Sequence, residues 1–286
     1  MTKTLSITLG LILVFACVTV AQVRNQSRRI GPGLTGPVRS VRIERASFSQ
    51  KGNDYVEGSR VLAETIILDP QWKRLEWRYH NPDGSVLRAN VVILDADGDQ
   101  IEVSENNGEG GLIRKIVYVY DDRKRLNEYL TYKSDGTLQH RWVATRPVPG
   151  KVEIGTYNGD GSFRDRAVNT FAFTKPGEKL ESSVYNLDGS LAQKTDLVAD
   201  GKGRVERWEY KPDGSLLARF VDTRNSEGFL IEEAEYNADG VISRKGTFTR
   251  EFDARGNWIK ETKSEWDAKL GALVPTAISY QIIVYY

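Results

Sequence analysis

One turn is written again and again along this chain. YKPDGSL at 210–216 recurs as YKSDGTL (132–138), YNGDGSF (157–163), YNLDGSL (185–191) and YNADGVI (236–242), and HNPDGSV (80–86) carries His80 in the tyrosine place. The turn glycines Gly84, Gly111, Gly136, Gly161, Gly189, Gly214 and Gly240 lie on average 26 residues apart. A second series falls between them: Gly98, Lys124, Gly150, Gly177, Gly203, Gly228 and Gly256. A period of this size belongs to repeat architectures. Each half-unit leaves roughly 8–9 residues between turns, an ordinary strand length.

The segments between turns alternate. In RLEWRYH, Leu75, Trp77 and Tyr79 share a face; in IRKIVYVY, Ile116, Tyr118 and Tyr120 do; in RVERWEY, Trp208 and Tyr210 do. Alternation of this kind marks a strand with one buried face. In NPDG (81–84) and KPDG (211–214) proline cannot take positive φ. Those turns are therefore expected as type I, with glycine in the left-handed region as a bulge. Asp135-Gly136, Asp160-Gly161, Asp188-Gly189, Asp213-Gly214 and Asp239-Gly240 are the structural repeat positions. Tyr132, Tyr157, Tyr185, Tyr210 and Tyr236 stand three residues before those aspartates. Packing under the neighbouring strand predicts that these tyrosines are mostly buried.

Hairpin after hairpin gives an all-β fold: antiparallel repeats of about 26 residues in a long meander. Fourteen turns imply fifteen strands in the repeat, and open twisted sheets rarely exceed ~10 strands without curling. The meander is therefore expected to coil or to close on itself. VRSVRIERASFSQ (38–50) and YVEGSRVLAETIILD (55–69) read as a leading hairpin around KGND. WDAKLGALVP (266–275) breaks the period, and AISYQIIVYY (277–286) is a last strand, apolar on both faces and so paired rather than free.

The resulting division is a leader at 1–21, a linker at 22–37, an N-terminal hairpin region at 38–75, the hairpin repeats at 76–260 and capping strands at 261–286. The leader has Lys3, an apolar run (5–20) and Thr19-Val20-Ala21 before Gln22, which reads as a signal peptide. Export to the periplasm or beyond follows, and no integral membrane segment remains after its removal. Cys17, the only cysteine, lies inside the leader. Lipidation there is the minority alternative to plain export. The mature chain then has no disulfide and no thiolate metal site.

These residues resemble the YD or RHS repeat class of bacterial surface and secreted proteins, whose units read Y-D-x-x-G-R-L. YDDRKRL (120–126), FDARGNW (252–258) and GKGRV (201–205) carry the resemblance. The chain is also similar to a looser group of exported bacterial proteins that open on G-P-V-x-S-V and close on G-N-W, here GPVRSV (36–41) and Gly256-Asn257-Trp258. The resemblance implies a bacterial β-repeat protein of the envelope or the extracellular space. In large members such repeats form a β shell around a toxin; this chain carries no toxin-like domain.

Forty basic residues against 39 acidic ones leave a net charge of +1, no footprint for nucleic acid. Asp95, Asp97, Asp99 and Glu102 invite a calcium reading, but Gly98 precedes the third acid where a calcium loop needs it after. His80 and His140 lie in or beside strands, outside any metal or nucleophile motif. No catalytic, metal or cofactor residue is assigned, and no enzymatic activity is expected. The reading is a structural or binding module whose partner is an envelope protein or a polysaccharide. Two alternatives stand beside it: a carbohydrate binder or glycan-directed enzyme using the aromatic rows, and an outer-membrane β-barrel. Charged strands such as LESSVY (180–185) oppose the last.

Overall fold

The computed structural model describes residues 34–52, 54–171 and 179–286. The leader, Cys17 and the turn glycine Gly177 lie outside the described residues. The strands are β1 (Val38–Lys51), β2 (Asp54–Glu57), β3 (Val61–Leu68), β4 (Arg74–His80), β5 (Val86–Leu94), β6 (Gln100–Asn107), β7 (Leu112–Tyr120), β8 (Leu126–Lys133), β9 (Leu138–Thr145) and β10 (Lys151–Asn158). They continue as β11 (Phe163–Phe171), β12 (Lys179–Tyr185), β13 (Leu191–Ala199), β14 (Arg204–Tyr210), β15 (Leu216–Arg224), β16 (Leu230–Asn237), β17 (Ile242–Phe252), β18 (Trp258–Asp267) and β19 (Ala272–Tyr285). The described residues contain no helix.

From β3 to β19 each strand pairs antiparallel with the next, and β19 returns to pair with β1, which also pairs with β3. The meander therefore closes, as a barrel of eighteen strands, with β2 extending the β1 hairpin beyond the rim. A round section with this many strands is about 35 Å across the backbone. The fifteen strands of the repeat are β4 to β18. The break at 266–275 is one more hairpin, turning through Gly271 (φ 62°), so the last strand starts at Ala272. The expected boundaries at 75/76 and 260/261 fall inside β4 and β18.

The Asp-Gly turns have the expected construction. Gly214 N–H donates to Lys211 O and Lys211 N–H to Ser215 O, and Gly214 sits at φ 84°. The ladder slips by one residue at Glu209/Tyr210, which is the bulge. Asp213 Oδ1 accepts from the backbone N–H and the hydroxyl of Ser215 at 2.8 and 2.6 Å. Asp83, Asp160 and Asp188 repeat this pair of bonds. One position in the series differs: the left-handed glycine of the β6–β7 turn is Gly110 (φ 87°), not Gly111, because the turn starts at Asn107.

Directly paired residues of antiparallel strands share a face, so the register divides the barrel wall into two faces. Val41, Ile43, Ile66, Leu68, Leu75, Trp142, Ile154, Leu180 and Leu197 lie on one of them, and all are buried. Side chains converge on the inside of a closed curve, which makes this the inner face. Leu87, Ile113, Val119, Leu217, Ile282 and Val284 lie on the other, and all are exposed. Two inner clusters anchor the wall. One joins Leu34, Val38, Val41, Ile66, Leu68 and Leu75 around the β19–β1–β3 seam; the other joins Leu126, Trp142, Ala144 and Ile154. Each fully buried Leu or Val contributes about 1.5–3 kcal/mol.

Candidate functional site

The five repeat tyrosines come together on one face, at one rim, but not where packing predicts. Tyr132, Tyr157, Tyr185, Tyr210 and Tyr236 all point outward, and each is half-buried rather than buried. The reason lies in the register. Each tyrosine pairs directly with a cation on the preceding strand: Lys115, Arg141, Arg166, Lys194 and Arg219 respectively. The cations lie beside the rings, with Lys115, Lys194 and Arg219 at 5.8, 5.6 and 5.0 Å from the ring centroids. Long basic side chains therefore supply the cover that a second sheet would otherwise give. His80 also differs from a plain packing substitute: its Nε2 lies 3.0 Å from Thr65 Oγ1 and its Nδ1 3.1 Å from Gly84 O.

Each of those cations also meets a carboxylate one strand back, thirteen residues earlier. Arg141 pairs with Glu128 at 2.9 Å, Arg166 with Glu153 at 2.8 Å and Arg219 with Glu206 at 2.8 Å. Lys115–Glu102, Lys194–Glu181 and Lys245–Glu232 continue the series at 3.7, 3.8 and 2.9 Å. The result is an outward belt of six ion pairs at mid-strand, from β6 to β17. Sequence reasoning missed it, although the thirteen-residue spacing is half the repeat and could have been counted.

The acidic stretch after β5 is a turn with its own cation. Asp95 Oδ1 accepts from the N–H groups of Asp97 and Asp99, and Lys124 Nζ reaches Asp95 and Asp97 at 3.1 and 2.8 Å. The Lys124 ammonium thus stands between two of the carboxylates that a calcium ion would need. Those hydrogen bonds pull the Asp95 carboxyl below its usual range, although burial opposes them as the largest single effect.

Inside the barrel, β13 to β17 form a recess of about 270 Å³. Leu197, Val205 and Phe220 give it an apolar floor; Asp222, Glu233 and Glu235 line it with carboxylates, and Arg207 and Arg244 with guanidinium groups. Asp222 faces Glu233 directly across the β15–β16 ladder, and Phe220 faces Glu235. Arg207 pairs with Glu209 at 2.6 Å and lies over the Phe220 ring at 4.1 Å. Arg244 meets Glu233 and Glu265, both at 3.3 Å. Burial pushes the Asp222 carboxyl above its ordinary value; Arg224 opposes this and Glu233 adds to it. Across β14–β18 the inner wall carries Glu209, Asp222, Glu233, Glu235, Glu261, Glu265 and Asp267 against Arg207, Arg224, Arg244, Arg250 and Lys263, an excess of negative charge. The recess was illegible in sequence, because it needs five strands brought side by side.

No family model and no curated protein matches the chain. Among solved structures it is similar to a porin-like protein from Bacteroides uniformis ATCC 8492, with a TM-score of 0.41 and 11% identity over 88% of this chain and 98% of that one. It is also similar to a Tc holotoxin pore from Photorhabdus luminescens, with a TM-score of 0.11 and 10% identity over 81% of this chain and 22% of that one. At these TM-scores neither likeness carries an argument about fold or function.

Proposed function

We propose that the chain is an exported β-repeat module of the bacterial envelope or extracellular space, and that its barrel works outside the lipid phase. The observation that carries this reading is the outward belt of Glu–Arg/Lys pairs. Strands β4 to β18 are seven to eleven residues long, so mid-strand residues would sit near the centre of a bilayer. A membrane barrel presents an apolar band there, about 25 Å tall, and each midplane cation costs ~2–4 kcal/mol. Six charged pairs at that height favour water. The leader-like segment and the YD-type motifs support export. The role is one of binding rather than catalysis, since the sequence offers no nucleophile or metal motif and the β13–β17 recess has a mixed apolar and charged lining.

The test is expression with the native leader in a Gram-negative host, followed by fractionation. The mature chain is expected in the periplasmic or culture fraction, beginning near Gln22, and soluble without detergent. Recovery solely from outer membranes with detergent, or a lipidated Cys17, would overturn the reading.

A further inference from the structure

The recess on the β13–β17 inner wall has unspent bonding capacity of one sign. Its two guanidinium groups are committed, Arg207 to Glu209 and Phe220, Arg244 to Glu233 and Glu265. Of its carboxylates, Glu233 is shared by two cations, with Arg244 and Lys263 at 3.3 and 3.2 Å, whereas Asp222 and Glu235 are not committed. Among the described residues neither Asp222 nor Glu235 has a side-chain hydrogen bond or ion pair, and Glu233 Oε1 is buried without a hydrogen bond. Two uncommitted acceptor groups, Asp222 and Glu235, thus stand beside an apolar floor of Leu197, Val205 and Phe220. A buried or half-buried carboxylate without a donor is costly, and a ligand that supplies donors recovers that cost. A neutral polyol would satisfy the acceptors but leave the wall's negative charge and the apolar floor unmatched. An anion would meet carboxylates.

We propose that this recess binds a small amphipathic amine, its hydrocarbon part on Leu197, Val205 and Phe220 and its ammonium between Asp222 and Glu235. A recess of about 270 Å³ suits a chain of a few methylenes or the end of a lysine-like side chain. The inference deepens the binding-module reading, and its test is separable from that reading: fractionation reports where the barrel works, whereas a titration reports the recess in either setting.

The experiment is calorimetric titration of the full mature chain with cadaverine, with pentanediol and glutarate as the neutral and anionic probes of the same length. Saturable binding of cadaverine alone is expected, weakened at least tenfold by Glu235→Gln, a change that keeps size and removes charge. Asp222→Asn provides the second variant, with its urea midpoint measured alongside, so that loss of fold is not read as loss of site. Absence of saturable cadaverine binding at millimolar concentration overturns the proposal. So does equal binding of pentanediol, or undiminished cadaverine binding in a folded Glu235→Gln variant.

Discussion

Asn257 holds both backbone polar groups of Thr35, a residue 222 positions away. Its Oδ1 accepts from the Thr35 N–H and its Nδ2 donates to Thr35 O at 3.0 Å. The same Nδ2 reaches the Tyr285 hydroxyl at 2.7 Å, and that hydroxyl donates to Asp253 Oδ2 at 2.7 Å. Asn257 is fully buried, and Leu34 beside it is 2% exposed. The chain's opening segment, its last repeat turn and its last strand are thereby tied together where β19 meets β1. Asn257→Ala leaves the Thr35 backbone groups without partners and is expected to cost about 1–3 kcal/mol, read as a lower urea midpoint. An unchanged midpoint would show that the clasp contributes nothing to closure.

The turns give a sharper contrast. Gly214 has no atom within 4 Å of where a Cβ would stand, so its requirement is one of backbone conformation alone. Gly214→Val forces a β-branched residue to φ near 84° and is expected to cost more than ~1 kcal/mol. Ser215→Ala removes only an exposed hydroxyl bond to Asp213 and should cost little. Equal midpoints for the two variants would contradict the bulge assignment.

Tyrosine truncation separates the outer face from the core. Tyr185 is outward and half-buried opposite Arg166, whereas Leu180 on the same strand is inward and 0% exposed. Leu180→Ala is expected to cost about 2–5 kcal/mol. Tyr185→Ala should cost about 1 kcal/mol, the scale of a cross-strand pair. A Tyr185 loss as large as that of Leu180 would place the tyrosine row in the core after all.

Acid should weaken the turns together. Bonds from the serine hydroxyl and N–H hold Asp83, Asp160, Asp188 and Asp213 below their usual range, and Thr137 does the same for Asp135. Arg125 holds Asp121 at about 2. A carboxyl lowered in the folded state stabilises it above the unfolded value, near 3.9, and that stability is lost as pH falls through the folded value. The urea midpoint is therefore expected to hold from about pH 7 down to about pH 4 and to fall between about pH 4 and pH 2. A midpoint flat to about pH 2 would contradict these assignments.

What the sequence made legible follows from what local chemistry decides. Asp-Gly at a fixed period sets where strands end, so Gly84 to Gly256 mark the fifteen strands of the repeat. Side-chain direction is a different matter. A tyrosine three residues before a turn aspartate sits next to the bulge, and only the cross-strand partner, such as Lys194 opposite Tyr210, reveals which face it takes. The recess is further removed, since Val205, Phe220 and Glu235 meet only through two successive ladders. Closure itself left one trace in the sequence, the GPVRSV and GNW motifs; Thr35, the residue before the first, meets Asn257 of the second only in the folded barrel.

Inside and outside have meaning here only if β1 pairs with β19. Arg42 and Ile282 are direct partners across that seam on the outer face. Opposed residues of an antiparallel pair have Cα atoms about 4.5–5.5 Å apart, within disulfide range. Arg42→Cys with Ile282→Cys, with Cys17, the only other cysteine of the sequence, replaced by Ser, tests the seam directly. The account predicts a cross-link within one monomer, formed under mild oxidation, with the fold retained. Free thiols, or cross-links only between molecules, would mean that the meander stays open.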